Sequence, residues 1–265
     1  MGFITIEQGD DPRLAPFRLN ERGLASRADK RDDAGAGLFL AEGDLVVERA
    51  LAAGCRPFAA LADGERLPEV AHRIVETDAP VYVGGDDVRR LVTQLGMPQP
   101  IVALFHRPPR PSAGDLAARC ERLVVVEGVD NPVNIGSIVR NAAALGWDGL
   151  LLDHTSADPL ARRALRVAMG TAFVLPHART RDLVGEIEAL VRSDCEVFAL
   201  TPHPDADDIR TVRPIGRRAL VIGAERSGLS DDVLAAATPV RIPMADSVDS
   251  LNAAAAAAVA CYALA

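Results

Sequence analysis

The chain has 265 residues, of which 49% are apolar, and a formal net charge of −8. This apolar content can fill the core of one large domain or two ordinary ones. The negative net charge excludes a protein whose whole surface is covered with phosphate-binding cations, but it permits a local basic face. Four scattered cysteines without a C-x-x-C pair, and five histidines without ligand spacing, predict reduced thiols and no metal site.

The first 107 residues predict a small α/β domain. Residues 1–35 are polar and have little periodicity. Short apolar runs and amphipathic segments then alternate, which is typical of strands and helices packed in layers. We expect a strand at 39–43, helices at 45–53 and 88–95, and further apolar runs at 58–61, 74–75, 81–83 and 101–105.

The N-terminal segment also contains the most basic stretch of the protein. Two interpretations remain open for it: a solvated helix face, or a contact with a substrate RNA. The residues concerned are Arg13, Arg18, Arg22, Arg27, Lys30 and Arg31.

A proline cluster at 107–114 predicts a semi-rigid linker, because proline cannot continue a helix or a central strand. We therefore place an N-terminal domain at 1–107, a linker at 108–117 and a second domain at 118–265. In the second domain we expect strands at 123–126, 149–152, 172–175, 196–200, 219–222 and 239–242, and helices at 135–145, 159–168, 182–192, 231–236 and 251–264.

The last apolar stretch, 251–265, is too short to cross a bilayer. The chain also does not open with a basic region followed by a long apolar run, which a secretory signal would require. We therefore expect a cytoplasmic protein with no membrane partner.

Three polar or glycine-rich blocks follow predicted strands of the second domain. They are 131–140, 223–229, and 242–244 together with 250–252. Ligands of α/β sheets gather beyond the carboxyl ends of the strands, so these three blocks predict one site built by one domain.

Within the first block, Asn134 and Arg140 are the candidates for chemistry. Asn134 suits the N-cap of the following helix equally well. Arg140 interrupts an apolar stripe, and its permanent charge suits a ribose phosphate. Six residues apart, the two side chains do not share a helical face, but both can still reach one site if Asn134 precedes the helix.

The second block has the G-x-x-x-x-G spacing of a phosphate-binding loop, with Ser230 at its end. However, Leu229 stands where that motif requires lysine, and Lys30 is the only lysine of the chain. This argues against a nucleotide-hydrolysing enzyme.

Together, the order Asn-x-Gly-x-x-x-Arg, Gly-x-Glu-x-x-Gly-Leu and Ile-Pro-Met with Ser-Leu-Asn resembles the SpoU (TrmH-like) branch of the SPOUT methyltransferases. The resemblance covers roughly 123–265, and Phe-Leu-x-Glu-Gly at 39–43 resembles the opening of the ribosomal-protein-like substrate-binding domain found before many of them. It implies an α/β SPOUT fold with a trefoil knot, preceded by that smaller α/β domain, and a homodimer. Neither periodicity nor spacing reveals a knot.

The resemblance also implies an activity, the transfer of a methyl group from S-adenosylmethionine to a ribose 2′-hydroxyl of RNA. Ribosomal RNA is favoured over tRNA because of the N-terminal domain. The alternative is a catalytically silent RNA-binding protein that has kept the fold.

Carried over residue by residue, the resemblance assigns three groups of site residues. The catalytic pair is Asn134 and Arg140, with Arg140 positioning the ribose phosphate and assisting proton removal. The cofactor-binding residues, which act largely through backbone groups, are Thr201, Gly223, Ile242 and Leu251. The supporting residues are Glu225, Ser250 and Asn252.

The second block departs from the commonest family form at two positions. Where that form has Asn and Gly, this chain has Ala224 and Arg226.

Overall fold

The computed structural model describes residues 2–25, 37–93, 99–245 and 247–265. The chain forms two compact units, the first made of Met1–Pro109 with Leu160–Phe173, and the second of Arg110–Pro159 with Val174–Ala265. The boundary near residue 109 falls at the predicted linker. Residues 160–173, which we expected in the C-terminal domain, instead belong to the first unit.

The first unit is built on a mixed five-stranded sheet. Its strand order is β1-β4-β3-β5-β2, in which β5 runs antiparallel to both of its neighbours. Its strands are β1 (Phe3–Thr5), β2 (Leu38–Glu42), β3 (Pro57–Asp63), β4 (Val81–Gly84) and β5 (Ile101–His106), and its helices before residue 109 are α1 (Glu21–Leu24), α2 (Asp44–Ala52), α3 (Glu69–Val75) and α4 (Asp86–Thr93).

Residues 2–25 are more ordered than their composition suggested. A 3-10 helix at Pro12–Arg18 buries Leu14 and Phe17 in the core of the unit. Of the basic stretch, Arg13 pairs with Asp11, and Arg18 donates to the carbonyl of Gly9. These two arginines therefore hold their own turn together. The other four lie outside the description: 27, 30 and 31 fall in the range 26–36, and nothing is described of the side chain at position 22.

The apolar run at 74–75 ends helix α3 and is not a strand. The helix expected at 88–95 corresponds to α4, and its last two positions fall within the undescribed range 94–98.

The segment 160–173 is anchored to β2 by one ion pair and one aromatic contact. Arg162, the first residue of helix α7 (Arg162–Ala168), pairs with the buried carboxylate of Glu42. The ring of Phe173 lies 5.5 Å from that of Phe39. The expected strand at 172–175 is therefore wrong: Thr171–Phe173 form a 3-10 helix, and strand β8 comes later, at His177–Arg179.

The second unit is built on a seven-stranded sheet with the order β10-β12-β9-β11-β6-β7-β8. All its strand pairs are parallel, which confirms the predicted α/β fold. Its strands are β6 (Arg122–Val126), β7 (Gly149–Leu152), β8, β9 (Glu196–Leu200), β10 (Asp207–Asp208), β11 (Arg218–Ile222) and β12 (Thr238–Arg241), and its helices are α5 (Ala113–Arg119), α6 (Pro132–Ala144), α8 (Leu183–Arg192), α9 (Asp231–Ala236) and α10 (Ala253–Ala263).

The centre of this sheet positions the site. Strands β6 and β11 pair in register, Val126 opposite Ile222, and both are buried over their last four residues. Since parallel strands end at the same edge, the segments after β6, β9, β11 and β12 emerge side by side. Among the described residues, no helix has the length and apolar character needed to span a membrane.

Candidate active site

Helix α6 begins three residues earlier than expected. Its N-cap is Asn131, whose side chain accepts from the amide of Val133, and Pro132 occupies the first turn, where its fixed φ suits a helix start. Asn134 therefore lies inside the helix, and it is only 4% exposed. Its interpretation as an N-cap, and the premise that it precedes the helix, are both wrong, because the run of 131–133 already supplies a cap and a proline.

Asn134 instead joins the three sequence blocks through hydrogen bonds. Its Nδ2 donates to Oε1 of Glu225 at 2.5 Å. Nδ2 of Asn252 donates to the same Oε1 at 2.7 Å and to Oδ1 of Asn134 at 3.2 Å. A carboxylate oxygen that accepts from two amides fixes both amide orientations. The first, second and third blocks thus meet in one side-chain network, hereafter the Asn–Glu–Asn network.

Asn252 is also the N-cap of α10. Its Oδ1 accepts from the amides of Ala254 and Ala255, so the two ends of one side chain tie the helix start to Glu225. Ser250, one of the predicted supporting residues, is exposed and lies outside the helix.

The loop after β11 turns sharply at Gly223. A Cβ atom there would lie 2.4 Å from the carbonyl carbon of Gly228 and 2.5 Å from the amide nitrogen of Leu229, so only glycine fits. Gly228 closes the turn with φ +67°, and its amide donates to the carbonyl of Ala224. Ala224 and Arg226 have no positive φ, so their departures from the family pattern are compatible with the shape of this loop.

A cavity of about 470 Å³ lies beside this loop. This volume is within the range of small-molecule sites, roughly 300–1,000 Å³. The side chains and backbone around it come from the segments after β9, β11 and β12 and from the start of α10. Among the residues that line it are all four predicted cofactor-binding residues, Thr201, Gly223, Ile242 and Leu251, and two of the supporting ones, Glu225 and Ser250.

Ser230, the last position of the phosphate-loop comparison, has a structural role. Its hydroxyl accepts from the amide of Val233 as the N-cap of α9 and donates to Glu127, which follows β6. The amide of Ser230 donates to the other oxygen of Glu127 at 2.8 Å. Glu127, which sequence reasoning did not single out, therefore ties the end of the second block to the end of β6.

A second cluster missed by sequence reasoning follows β7. The buried carboxylate of Asp153 accepts from the amides of Gly128, Thr155 and Ser156 and from both hydroxyls. Burial raises the pKa of this carboxyl, but the hydrogen bonds from Ser156, Thr155 and Gly128 outweigh it, and the net pKa is lowered. The signal was the Asp-x-Thr-Ser sequence after a strand, which is typical of a side-chain-stabilised turn.

The Asp153 cluster supports the segment that leads into α6. Besides the bond from Gly128 to Asp153, the amide of Val129 donates to the hydroxyl of Ser156 at 3.1 Å. Arg179 on β8 holds the same turn by donating to the carbonyls of Asp153 and Ser156. The start of α6, and with it Asn134, thus rests on buried polar contacts.

Arg140 is exposed and lies away from the Asn–Glu–Asn network. Six residues of an α-helix correspond to about 600° of rotation about the helix axis, so the Arg140 side chain points roughly 240° around α6 from that of Asn134. The apolar stripe of this helix, including Ile138 and Val139, is buried on another face. No hydrogen bond or ion pair joins the side chain of Arg140 to another described residue. Within one chain, then, the predicted catalytic pair is not brought together.

Metal chemistry has no obvious donor set in this region. Among the described residues, no group of three or more His, Cys, Asp or Glu side chains could hold an ion. All four cysteines are free and buried, and burial raises the pKa of the Cys261 thiol to about 12.

Comparison with known proteins gives one consistent result. The profile of the SpoU rRNA Methylase family matches residues 121–262. An uncharacterised tRNA/rRNA methyltransferase of Mycobacterium tuberculosis is 39% identical over 260 residues, which cover 96% of this chain and 88% of the relative. The 23S rRNA (guanosine(2553)-2′-O)-methyltransferase of Bacillus subtilis is 29% identical over 88% of this chain and 90% of the relative.

A solved structure agrees over nearly the whole chain. The AdoMet-bound rRNA methyltransferase of Sinorhizobium meliloti superposes with a TM-score of 0.81 at 25% identity, covering 98% of this chain and 97% of that one. With the family profile matching more than half of the sequence, the chain belongs to the SpoU rRNA methylase family.

Proposed function

We propose that this protein transfers a methyl group from S-adenosylmethionine to a ribose 2′-hydroxyl of ribosomal RNA. The observation that carries the proposal is the Asn–Glu–Asn network, which unites the three blocks and whose Glu225 also lines the cavity. The named 23S rRNA 2′-O-methyltransferase among the relatives favours rRNA over tRNA. We place the reaction in the cytoplasm, with rRNA and a second copy of the chain as partners.

The cavity suits S-adenosylmethionine in size and chemistry. Its aliphatic walls, including Leu200, Ile222 and Ile242, suit the flat faces of an adenine, while backbone groups at Thr201, Gly223 and Leu251 are available to fix its edges. The missing side chain at Gly223 keeps the turn close to the cavity. When bound, S-adenosylmethionine supplies an electrophilic methyl group on a sulfonium.

Asn134 is the residue we assign to the ribose. One of its two Nδ2 hydrogens is used by Glu225, and its Oδ1 accepts from Asn252. The second Nδ2 hydrogen donates to none of the described residues and remains to bind a ribose oxygen. Because the side chain is buried and held from two sides, it offers this donor in one orientation, which lowers the entropy cost of aligning the hydroxyl.

Arg140 acts, in our proposal, on the active site of a second copy. An arginine always carries its charge, so its contribution is to hold the ribose phosphate and to stabilise the alkoxide that forms as the hydroxyl proton passes to water. The ribose oxygen then forms its bond to the methyl carbon while the bond from that carbon to the sulfonium sulfur breaks, which leaves S-adenosylhomocysteine. Its exposure and its distance around α6 from Asn134 explain why one chain alone does not complete the site.

The exposed faces of α6 and α10 support a homodimer. These helices are joined by a hydrogen bond from Nδ2 of Asn141 to the carbonyl of Ala254. Val133, which shares a face of α6 with Arg140, is exposed. Val259 and Tyr262 on α10 are exposed too, and the exposed fraction of Tyr262 is 76%. Val259 and Tyr262 lie one turn apart on α10, and exposed apolar side chains of this kind mark a protein interface; a two-fold axis there would bring each Arg140 towards the partner. The knot, and RNA binding by the N-terminal unit, are part of the same proposal and rest on family membership.

Mixed dimers test this arrangement. Asn134→Ala and Arg140→Ala are prepared separately, and each is expected to lose methyl transfer by roughly 100-fold, the effect of removing one preorganised contact. After mixing and reassembly, heterodimers contain one intact site, so about a quarter of parental activity returns. Activity is measured with labelled cofactor and total RNA from a strain that lacks the enzyme.

The matched control mixes Asn134→Ala with the Asn134→Ala/Arg140→Ala double variant, which cannot form an intact site and stays inactive. Arg140→Ala alone should unfold like the parent, because the Arg140 side chain makes no hydrogen bond or ion pair with any residue that the structure describes. No recovery in the first mixture, with both variants folded and dimeric, contradicts a shared site. A parent protein that binds the cofactor but methylates no RNA supports the catalytically silent alternative.

A further inference from the structure

Three charged side chains line the cavity, two of them negative and one positive. Glu225 and Asp249 are acidic, and Arg226 is the one cation among the described lining residues. All three are exposed, Glu225 and Arg226 in the loop after β11 and Asp249 in the segment between β12 and α10. The remaining lining residues are uncharged, so these three groups determine which charges a ligand can carry in this cavity.

Of these three charges, only that of Glu225 is engaged by other described residues, since its Oε1 accepts from Asn134 and Asn252. No hydrogen bond or ion pair joins the side chains of Arg226 and Asp249 to any other described residue. Two other exposed arginines of this unit do have such partners: Arg192 pairs with Glu188, and Arg210 pairs with Asp208. An unpaired cation at the wall of a cavity is therefore available to a ligand.

The charges of S-adenosylmethionine complement this set. The ligand has two cations, the sulfonium and the α-ammonium, and one anion, the carboxylate; the cavity has two carboxylates and one guanidinium. We propose that Arg226 binds the carboxylate at the amino-acid end of S-adenosylmethionine and that Asp249 binds the neighbouring ammonium. This assignment rests on the proposed function. A guanidinium matches a carboxylate with two parallel hydrogen bonds, which an ammonium cannot do.

The sequence departure at position 226 acquires a reason in this assignment. Glycine, the commonest residue of the family here, could make no such contact. The loop does not require glycine at this position, because Arg226 has no positive φ. The long side chain extends from the same turn that Gly223 and Gly228 shape, and it already lines the cavity.

The test compares S-adenosylmethionine with decarboxylated S-adenosylmethionine, which keeps the sulfonium and the amine but lacks the carboxylate. Calorimetry on the full-length parent, Arg226→Ala and Arg226→Lys measures the affinity for each ligand. Arg226→Ala should bind S-adenosylmethionine about tenfold more weakly, the effect of one charge-assisted contact, and the decarboxylated ligand as well as the parent does. Arg226→Lys should recover only part of the loss. Asp249→Asn should weaken both ligands equally, because both carry the amine.

Arg192→Ala is the matched control, since it removes an exposed arginine of the same unit that does not line the cavity. Equal losses for both ligands in Arg226→Ala, or no loss for either, would overturn the role of Arg226; a loss confined to RNA binding would overturn it as well. Unchanged affinities in Asp249→Asn would overturn the role of Asp249. A parent protein that binds neither ligand would overturn the proposed function itself, which is a distinct result.

Discussion

Replacing Gly223 with alanine should damage the cofactor site through a steric effect alone. The added Cβ would lie 2.4 Å from a backbone carbon and 2.6 Å from the carbonyl oxygen of Gly228. Ordinary contacts begin near 3.4 Å, so the loop must move by about 1 Å, and no flexible side chain can absorb the clash. Overpacking of this kind costs about 1–3 kcal/mol.

That cost can appear in two measurable quantities. If the loop keeps its place, Gly223→Ala lowers the free energy of unfolding by the full amount. If the loop moves away, the protein must restore it to bind the cofactor, and the affinity for S-adenosylmethionine falls instead, about tenfold for each 1.4 kcal/mol. Urea denaturation and calorimetry on the same samples give the two losses, whose sum should reach about 1–3 kcal/mol.

Two other glycines separate sterics from conformation. Gly114 has open space around it and no positive φ, and it lies in α5, so Gly114→Ala should be neutral or stabilise by about 0.5–1 kcal/mol. Gly228 also has open space but φ +67°, so Gly228→Ala should cost about 1–2 kcal/mol of backbone strain without a clash. If Gly223→Ala matches Gly114→Ala in both stability and cofactor affinity, the steric argument is refuted.

Two further predictions concern the polar contacts around the site. Asn252→Ala should lower the free energy of unfolding by about 1 kcal/mol, because α10 loses its N-cap. Asn252→Asp keeps the cap but places a second carboxylate next to that of Glu225, so denaturation at pH 7 should find the aspartate variant less stable than the alanine variant. The opposite order of stability would contradict this geometry. Asp153→Asn should cost about 1–3 kcal/mol, since an amide cannot accept all five hydrogen bonds. Because the folded-state pKa of Asp153 lies below its usual value of 3.8, its stabilisation is present above that pH and is lost as the pH falls through the lowered pKa, so parent and variant should converge in acid; a constant difference would show that the charge is not involved.

The sheet of the second unit was predictable from the sequence because its central strands are buried on both faces. A run such as Leu123–Val126 has no polar alternation, and this is typical of a parallel strand between helix layers. The polar blocks were predictable for the same reason, since each begins where such a run stops. The strands at 149–152 and 196–200 and the helix at 231–236 coincide with the observed bounds.

Other features could not be predicted because they depend on partners distant in the chain. The run 172–175 has the composition of a buried strand, but Phe173 packs on Phe39, and the strand comes after Pro176. Asn131 and Asn134 both stand at the start of an apolar stripe, and the only local signal between them is Pro132, whose weight as a helix start the prediction did not use. The choice is made by Pro132, which favours the first turn, and by Glu225, which takes up Asn134.

The position of the site finally depends on how α10 is held against α6. Nε1 of Trp147, the only tryptophan, donates to the carbonyl of Cys261 at 3.1 Å, and Asn141 holds the carbonyl of Ala254 near the other end of α10. Two such contacts, on a helix of small residues that can approach closely, fix its register along α6. Since Asn252 caps α10 and Asn134 lies in the first turn of α6, that register sets the 3.2 Å contact between the two asparagines. The alanine-rich sequence of α10, which has no chemistry of its own, thereby determines the geometry of the proposed active site.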